Sequence, residues 1–419
     1  MNHGNSSHAS TSVAPASAGL ALPPSAPAAA RTVFRLLREL RSGTLDVQLF
    51  DGTQMHFVGR NSAGEPRAAI RLLDWSVCSE ALKSGDIGFA ETYIEGRWTS
   101  PDLVALLKLF IANRDAVESV IYGSWWGSLL YRVKHLLNRN SRQGSRRNIH
   151  AHYDIGNPFY RLWLDETMNY SSAWFEGDTT RPTAVAQAAK VKRALQACDL
   201  QPGQRLLEIG CGWGALAEMA AGEFGAKVVG LTLSDEQLAF ATDRVARKGL
   251  AASCDLRLQD YRDVADGPFD AIASIEMFEA VGRAYWGDYF ATLSRQLKSG
   301  GKACIQTITI RDDLFERYAR STDFIQQYIF PGGMLPSAAV FRQEAEKAGL
   351  QVVDEMAFGA DYAETLRRWR LQFLARDGEV RQLGFDTRFM RTWEFYLAYC
   401  EAAFATGNTD VVQFTLRKP

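Results

Sequence analysis

Glu208, Gly210, Gly212 and Gly214 alternate along Arg205-Leu206-Leu207-Glu208-Ile209-Gly210-Cys211-Gly212-Trp213-Gly214-Ala215, and residues of these types at this spacing can do chemistry. Arg205 to Ile209 is a short apolar run, which predicts a buried parallel strand. The glycines let backbone approach a ligand, and the helical composition of Ala215 to Ala221 places free N–H groups behind them. Strand, turn and helix together make a nucleotide-binding corner. Two ligands fit it. Gly210, Gly212 and Ala215 satisfy the dinucleotide fingerprint G-x-G-x-x-G/A. Glu208 inside the strand end points instead to a cationic amino-acid group, as in S-adenosylmethionine. The next strand, Ala226 to Leu231, ends in Thr232-Leu233-Ser234 rather than in the acid that a dinucleotide fold offers to a ribose.

The elements that must position these residues alternate along the chain. Arg181 to Leu200 reads as an amphipathic helix, and Ser234 with Gln237 three residues on has the pattern of a capped helix start. Cys254 to Leu258, Phe269 to Ile275 and Lys302 to Ile310 read as further strands, with a helix at Tyr285 to Leu297. The alternation predicts an α/β fold with a doubly wound, mostly parallel, Rossmann-like sheet whose ligands gather beyond the carboxyl ends of its strands. Glu208, Thr232, Ser234, Gln259, Asp260, Glu276, Glu279 and Gln306 all fall at those ends. A binding crevice therefore has support from five strands rather than from one motif.

The 419 residues suggest two domains, and a net charge of −1 gives no global argument for nucleic acid. Six scattered cysteines lack metal-ligand spacing, so reduced thiols and no metal site are expected. No apolar run is long enough to span a bilayer. Residues 1–30, rich in Ala, Ser and Pro, read as a disordered tail. Residues 31–143 read as a smaller α+β domain. It has a helix at Arg31 to Arg41 and a hairpin turning at Asp51-Gly52 between Thr44–Phe50 and Thr53–Val58. A strand at Ala68 to Leu73 follows, then helical segments at Trp75 to Lys83, Gly88 to Glu95 and Asp102 to Asn113. Between Trp125 and Arg147 aromatic and apolar residues sit beside a basic cluster. That composition suits docking on an anionic membrane surface, and equally a helix packed on the main domain, residues 148–419, with a basic linker behind it.

Eight segments carry a resemblance. His152-Tyr153-Asp154-Ile155-Gly156-Asn157, Met168 to Ala173 (MNYSSA), Leu207 to Gly214 (LEIGCGWG), Leu231 to Gln237 (LTLSDEQ), Gln259 to Asp263 (QDYRD), Met277 to Gly282 (MFEAVG), Tyr328 to Pro336 (YIFPGGMLP) and Phe358 to Tyr362 (FGADY) occur in this order. The chain resembles the cyclopropane-fatty-acyl-phospholipid synthase family. The resemblance implies methylene transfer from S-adenosylmethionine to the cis double bond of a phospholipid acyl chain, at the cytoplasmic membrane surface, with a homodimer among the expectations. It implies cofactor contacts from Tyr170, Ser171, Glu208, Gly210, Gly212, Gly214, Thr232, Leu233, Ser234, Gln237, Gln259, Asp260 and Tyr261. It further implies a bicarbonate ion that takes the last proton. That ion would be held by Glu279 and Tyr362, by a third side chain, and by the backbone amides of Ser172 and Ile308. Where family members have a histidine as that third side chain, this chain has Gln306, which can hold an anion but cannot take a proton. Ala280 replaces the histidine after the glutamate, and Ser172 a cysteine. Cys400 matches a cysteine once assigned as catalytic, although no step of the chemistry needs a sulfur nucleophile. The changes at the anion site keep two products in view, a cyclopropane ring and a methylene or methyl branch. A lipid-binding protein without turnover is the reading from another class, and intact Glu208, Glu279 and Tyr362 argue against it.

Overall fold

The computed structural model describes residues 22–61, 66–115 and 155–419. The Trp125–Arg147 segment and the His152–Asp154 end of the first motif lie outside the described residues. Two sheets organise the rest. The first has four strands in the order β2-β1-β3-β4, with β1 Thr44–Gln48, β2 Gln54–Val58, β3 Arg67–Leu72 and β4 Trp98–Thr99. The expected hairpin is present, with Thr44 opposite Val58 and Gly52 in left-handed backbone at φ +90°. β3 runs parallel to β1, so the sheet is mixed. The two helical segments expected after it form one kinked element, Ser76–Ile94, bent where Gly85 adopts φ 63°, ψ −137°. β4 escaped notice because two residues carry no periodicity. It is anchored by Trp98, which is fully buried and stacked on Phe89 at 4.2 Å between ring centroids.

The second sheet has seven strands in the order β10-β11-β9-β8-β5-β6-β7. β5 Arg205–Ile209, β6 Lys227–Thr232, β7 Cys254–Leu258, β8 Phe269–Ile275 and β9 Leu297–Ile310 are parallel to one another. Apolar residues fill both faces of the central strands β5, β6 and β8 because helices cover both, while the edge strand β7 is only half-buried. One face packs small residues: Leu206 of β5 meets Ala194 of the Thr183–Ala197 helix and Ala217 and Ala220 of the Ala215–Gly222 helix. The other packs aromatics: Leu207 and Ile209 meet Tyr289, Phe290 and Phe341. The antiparallel edge was not expected. β11 Thr409–Arg417 inserts between β9 and β10 Gln351–Ala357. A stretch with Gln413 and Thr415 buried among its apolar residues does not alternate as an edge strand does, which hid it in the sequence.

The long Thr387–Ala405 helix joins the two sheets' layers. Tyr93 donates to Glu394 at 2.7 Å, and Arg391 donates to the Tyr93 carbonyl at 2.8 Å. Trp98 and Phe395 share one apolar core across this junction. Asp86, just past the Gly85 bend, accepts from the Tyr399 hydroxyl at 2.9 Å and from the Phe324 amide at 3.3 Å. Burial, reinforced by the charge of Asp323, pushes the Asp86 carboxyl from 3.8 up to about 7. The folded state thus holds a proton that the unfolded chain has already released, so this contribution to stability falls as pH rises from about 4 to about 7. Asp86→Asn keeps an acceptor and removes the titration. Its melting temperature relative to the parent should rise progressively across that interval, and a difference independent of pH would show that Asp86 is ionised throughout.

Candidate active site

β5 lies between β6 and β8, so the chain winds in opposite directions on either side of it, and a crevice opens at the carboxyl ends. Gly210, Gly212 and Gly214 have φ of +86°, +49° and +81°, a backbone that only glycine adopts without cost. They do different things. A Cβ on Gly214 would meet Ala241 at 2.9 Å and one on Gly210 would meet Met277 at 2.9 Å, so these two permit close packing. A Cβ on Gly212 would meet nothing within 4 Å, because it would project into the cavity. Glu208 stands beside it, 3% exposed, with Oε2 lacking a hydrogen-bond partner. Burial drives its carboxyl well above the usual range, opposed by the charges of Arg244 and Lys190. A cationic ligand group would complete this orphaned oxygen.

The remaining cofactor candidates divide into two groups. Tyr170, Ser171, Thr232, Leu233, Gln237, Gln259, Asp260 and Tyr261 line the cavity with Glu208, Gly210 and Gly212. Ser234 and Gly214 do not line it. Ser234 caps the Asp235–Arg247 helix, accepting from the Gln237 amide at 3.3 Å. Gln237 does not return a capping bond; its Oε1 accepts from the Thr232 hydroxyl at 2.8 Å, locking the end of β6. Asp260 is paired with Arg262 at 2.5 Å.

Beyond β8 the structure departs from the expected anion site. The Ser172 amide (2.8 Å), Gln306 Nε2 (2.7 Å) and the Tyr362 hydroxyl (2.6 Å) all donate to the carboxylate of Glu276. The Ile308 amide donates to Glu279 instead. The donor set expected to surround a free bicarbonate is therefore claimed by protein carboxylates. A second anion would also meet their charge, so bicarbonate does not fit beside Glu276. The sequence placed Glu276 at a strand end without giving it a role. Glu276 is a non-glycine residue at φ +48°, a conformation that costs about 1–2 kcal/mol and is retained here by its surroundings.

Those surroundings are specific. Gln306 is fully buried, and its Oε1 accepts from Gln413 at 3.0 Å, which turns its NH2 towards Glu276. Gln413 Oε1 accepts from Arg193 at 2.7 Å, and Arg193 pairs with Asp354 at 2.8 Å. Lys190, also fully buried, donates to Ser171 Oγ and supplies the nearest cation to Glu276; burial pulls its ammonium down to about 8 against three nearby carboxylates. Sequence reasoning passed over Lys190, Arg193 and Gln413. The signal was Gln187, Lys190 and Ala194 on one face of an otherwise apolar helix stripe.

The family-like motifs are the supports of this arrangement. In FGADY, Gly359 lies where a Cβ would be 2.6 Å from Asp410 Oδ1, and its amide donates to that oxygen at 2.7 Å, aiming Tyr362 inward. In YIFPGGMLP, the Met334 amide donates to the Glu279 carbonyl at 2.9 Å, pinning the loop that carries Glu279. Burial, then the charge of Glu276, pushes Glu279 up to about 8, and its Oε2 has no partner. Burial raises the Glu276 carboxyl above its ordinary range as well, but Lys190 and three donors oppose the rise there, whereas at Glu279 the charge of Glu276 adds to it; the arrangement therefore favours the proton on Glu279 and the charge on Glu276. Cys400 lines the cavity, but burial pushes its thiol far up, so it is no thiolate at neutral pH. Among the described residues no cluster suited to a metal ion occurs.

Glu208, Glu276, Glu279 and Tyr362 border one cavity of about 960 Å3, at the upper end of the about 300–1,000 Å3 usual for ligand sites. From the glycine corner it continues past Tyr170, Phe330 and Tyr396 to Phe34, Leu45 and Ile70 of the first sheet's layer. The model of the mycolic acid cyclopropane synthetase family matches residues 140–414. The chain belongs to this family. It is 38% identical to the tuberculostearic acid methyltransferase UfaA1 of Mycobacterium tuberculosis, over 96% of this chain and 94% of that one. It is 35% identical to the cyclopropane-fatty-acyl-phospholipid synthase of Escherichia coli, over 84% and 88% respectively. The crystal structure of mycolic acid cyclopropane synthase CmaA1 complexed with SAH and CTAB superposes with a TM-score of 0.62 at 35% identity, covering 65% of this chain and 98% of that one. The chain is an S-adenosylmethionine-dependent methyltransferase with the matching fold, and the dinucleotide alternative is set aside.

S-Adenosylmethionine fits the residues at the corner: Glu208 offers an unpaired oxygen to its cationic end, and Gly212 leaves the space a side chain would fill. Gly212→Val should abolish cofactor binding in calorimetric titration, while the left-handed backbone adds a stability loss of about 1–2 kcal/mol. Unchanged affinity would remove the cofactor from this corner.

Proposed function

We propose that this enzyme transfers the methyl group of S-adenosylmethionine to the cis double bond of an acyl chain in a membrane phospholipid and completes the product by loss of a proton. The observation that carries the reading is the single cavity joining the glycine corner to an apolar arm, with two carboxyl groups at the junction. The bound cofactor supplies an electrophilic methyl on a sulfonium. The protein's part begins with positioning: an alkene is a feeble nucleophile, and holding it in line supplies much of the rate. Attack leaves a carbocation on the acyl chain. Tyr170, Phe330 and Tyr396 surround that region, with Tyr170 and Tyr396 joined through their hydroxyls at 2.7 Å, and present π faces to the cation. The apolar walls keep out water that would quench it.

Ring closure to a cyclopropane is the first reading of the product. A methylene or methyl branch is the second, favoured by the relative named as a tuberculostearic acid methyltransferase, which aligns over nearly the whole chain. Access to acyl chains would come from docking on the cytoplasmic face of the membrane through the aromatic and basic residues 125–147. Among the described residues, no helix is long and apolar enough to cross a membrane.

Expression in a host lacking cyclopropane lipids, followed by mass spectrometry of its phospholipids, tests the proposal. Acyl chains heavier by one CH2 are expected. Products that resist mild hydrogenation are rings, and those that take up hydrogen are methylene branches. Unaltered acyl chains alongside a folded, cofactor-binding enzyme would overturn the lipid substrate.

A further inference from the structure

The donors around Glu276 form a complete anion site whose anion is part of the protein. We propose that Glu276 is the catalytic base of the closing step and makes the enzyme independent of bicarbonate. The inference rests on the acyl-alkene reading of the site and deepens it.

A carboxylate offers about four acceptor positions. The Ser172 amide and Gln306 occupy two on Oε1, and Tyr362 occupies one on Oε2. One position on Oε2 is left without a donor among the described residues, and Glu276 borders the cavity. None of the three donors can serve as the base. An amide N–H and a glutamine NH2 accept no proton, and burial beside Glu276 holds the Tyr362 hydroxyl protonated. Glu279 keeps its own proton, and its Oε1 is tied to the Ile308 amide. Of the groups at this junction, Glu276 is the one whose carboxylate form is favoured by three donors and Lys190 and whose Oε2 keeps an open lone pair. Its left-handed backbone is the second observation: φ +48° is maintained in a non-glycine residue whose amide donates to the Gln306 carbonyl at 2.8 Å, so Gln306 holds Glu276 at both its backbone and its carboxylate.

The step balances as follows. The alkene π pair forms the C–C bond to the transferred carbon, the C–S bond breaks with its pair left on sulfur, and the neighbouring acyl carbon becomes cationic. Oε2 of Glu276 then takes a proton from the transferred carbon. For a ring, the C–H pair becomes the second C–C bond directly; for a methylene branch, the hydrogen on the methylated carbon first shifts with its pair to the cationic neighbour, and the C–H pair of the methyl then becomes the π bond. The protonated Glu276 later releases its proton to solvent. Gln306, Gln413 and Arg193 act as positioning residues that hold the carboxylate.

The wild-type enzyme, assayed with unsaturated phospholipid vesicles in carbonate-depleted buffer, should turn over at its full rate, and 13C-bicarbonate should show no bound signal by NMR. Glu276→Gln keeps shape and loses charge, so turnover should fall about 10²–10⁴-fold, the usual contribution of a positioned base. Glu276→Gly suits the backbone and vacates the anion position; it should bind 13C-bicarbonate and regain activity when millimolar bicarbonate is added. Calorimetry with S-adenosylhomocysteine verifies that each variant is folded. Bicarbonate-dependent or bicarbonate-binding wild-type enzyme overturns the inference and leaves the function intact, as does a Glu276→Gln enzyme with turnover within a fewfold of the parent. Wild-type enzyme that methylates no unsaturated lipid overturns the underlying reading itself.

Discussion

A carboxylate taken out of water must be surrounded by donors or cations, and the catalytic half of this molecule is arranged to meet that demand for Glu276. Removing a single partner from a buried charge costs about 3–5 kcal/mol, because the charge remains without compensation. Three donors and one cation here come from four separated parts of the chain: the Ser172 loop, β9 through Gln306 and the FGADY helix through Tyr362 donate, and the Lys190 helix supplies the charge. Each of the three donors has a second attachment that fixes it. The Ala173 amide next to Ser172 donates to Thr365 at 3.1 Å, Gln306 is held by Gln413, and Tyr362 follows from the contact of Gly359 with Asp410. The antiparallel edge of the sheet acquires a purpose in this light, since β11 delivers Gln413 to the back of Gln306.

The same physics divides labour among three buried glutamates. Glu208 has an orphaned oxygen and two guiding cations, and suits a cationic ligand group. The Glu276 carboxyl is raised by burial too, but three donors and Lys190 oppose the rise and favour its charged form. Glu279, with one amide donor and a charged neighbour, stays protonated. Identical side chains in one cavity differ because environment, rather than residue type, sets their protonation. This arrangement departs from the pattern in which a histidine and a free anion occupy the site. Gln306 suits the neighbouring carboxylate better than a histidine would. Its amide offers a donor to Glu276 and an acceptor to Gln413 at every pH, whereas a histidine offers a second donor only when it is protonated.

Much of the architecture was legible in the chain. β5, β7 and β8 coincide with the strands read at Arg205–Ile209, Cys254–Leu258 and Phe269–Ile275; β5 and β8, covered on both faces, are largely apolar, while the edge strand β7 is only half-buried. The glycine corner, the Ser234 cap and the Asp51-Gly52 hairpin were equally visible, because each depends on contacts within a few residues. β4, β10 and β11 were not. All three pair antiparallel at the edge of a sheet or next to it, and β4 is only two residues long, so their form depends on partners outside their own segment.

The sequence by itself determined the fold class, the cofactor corner and the identities of the chemically competent side chains. These follow from local backbone preference and hydrophobic period. Only the tertiary structure decided which carboxylate the donors serve. Glu276 and Glu279 are three residues apart with nothing in their local sequence to rank them. The choice depends on a left-handed turn at one position and on donors from residues 172, 306 and 362, which meet only when the sheet is complete. A charge in the interior is stabilised by what surrounds it in space, and spacing along the chain cannot carry that information.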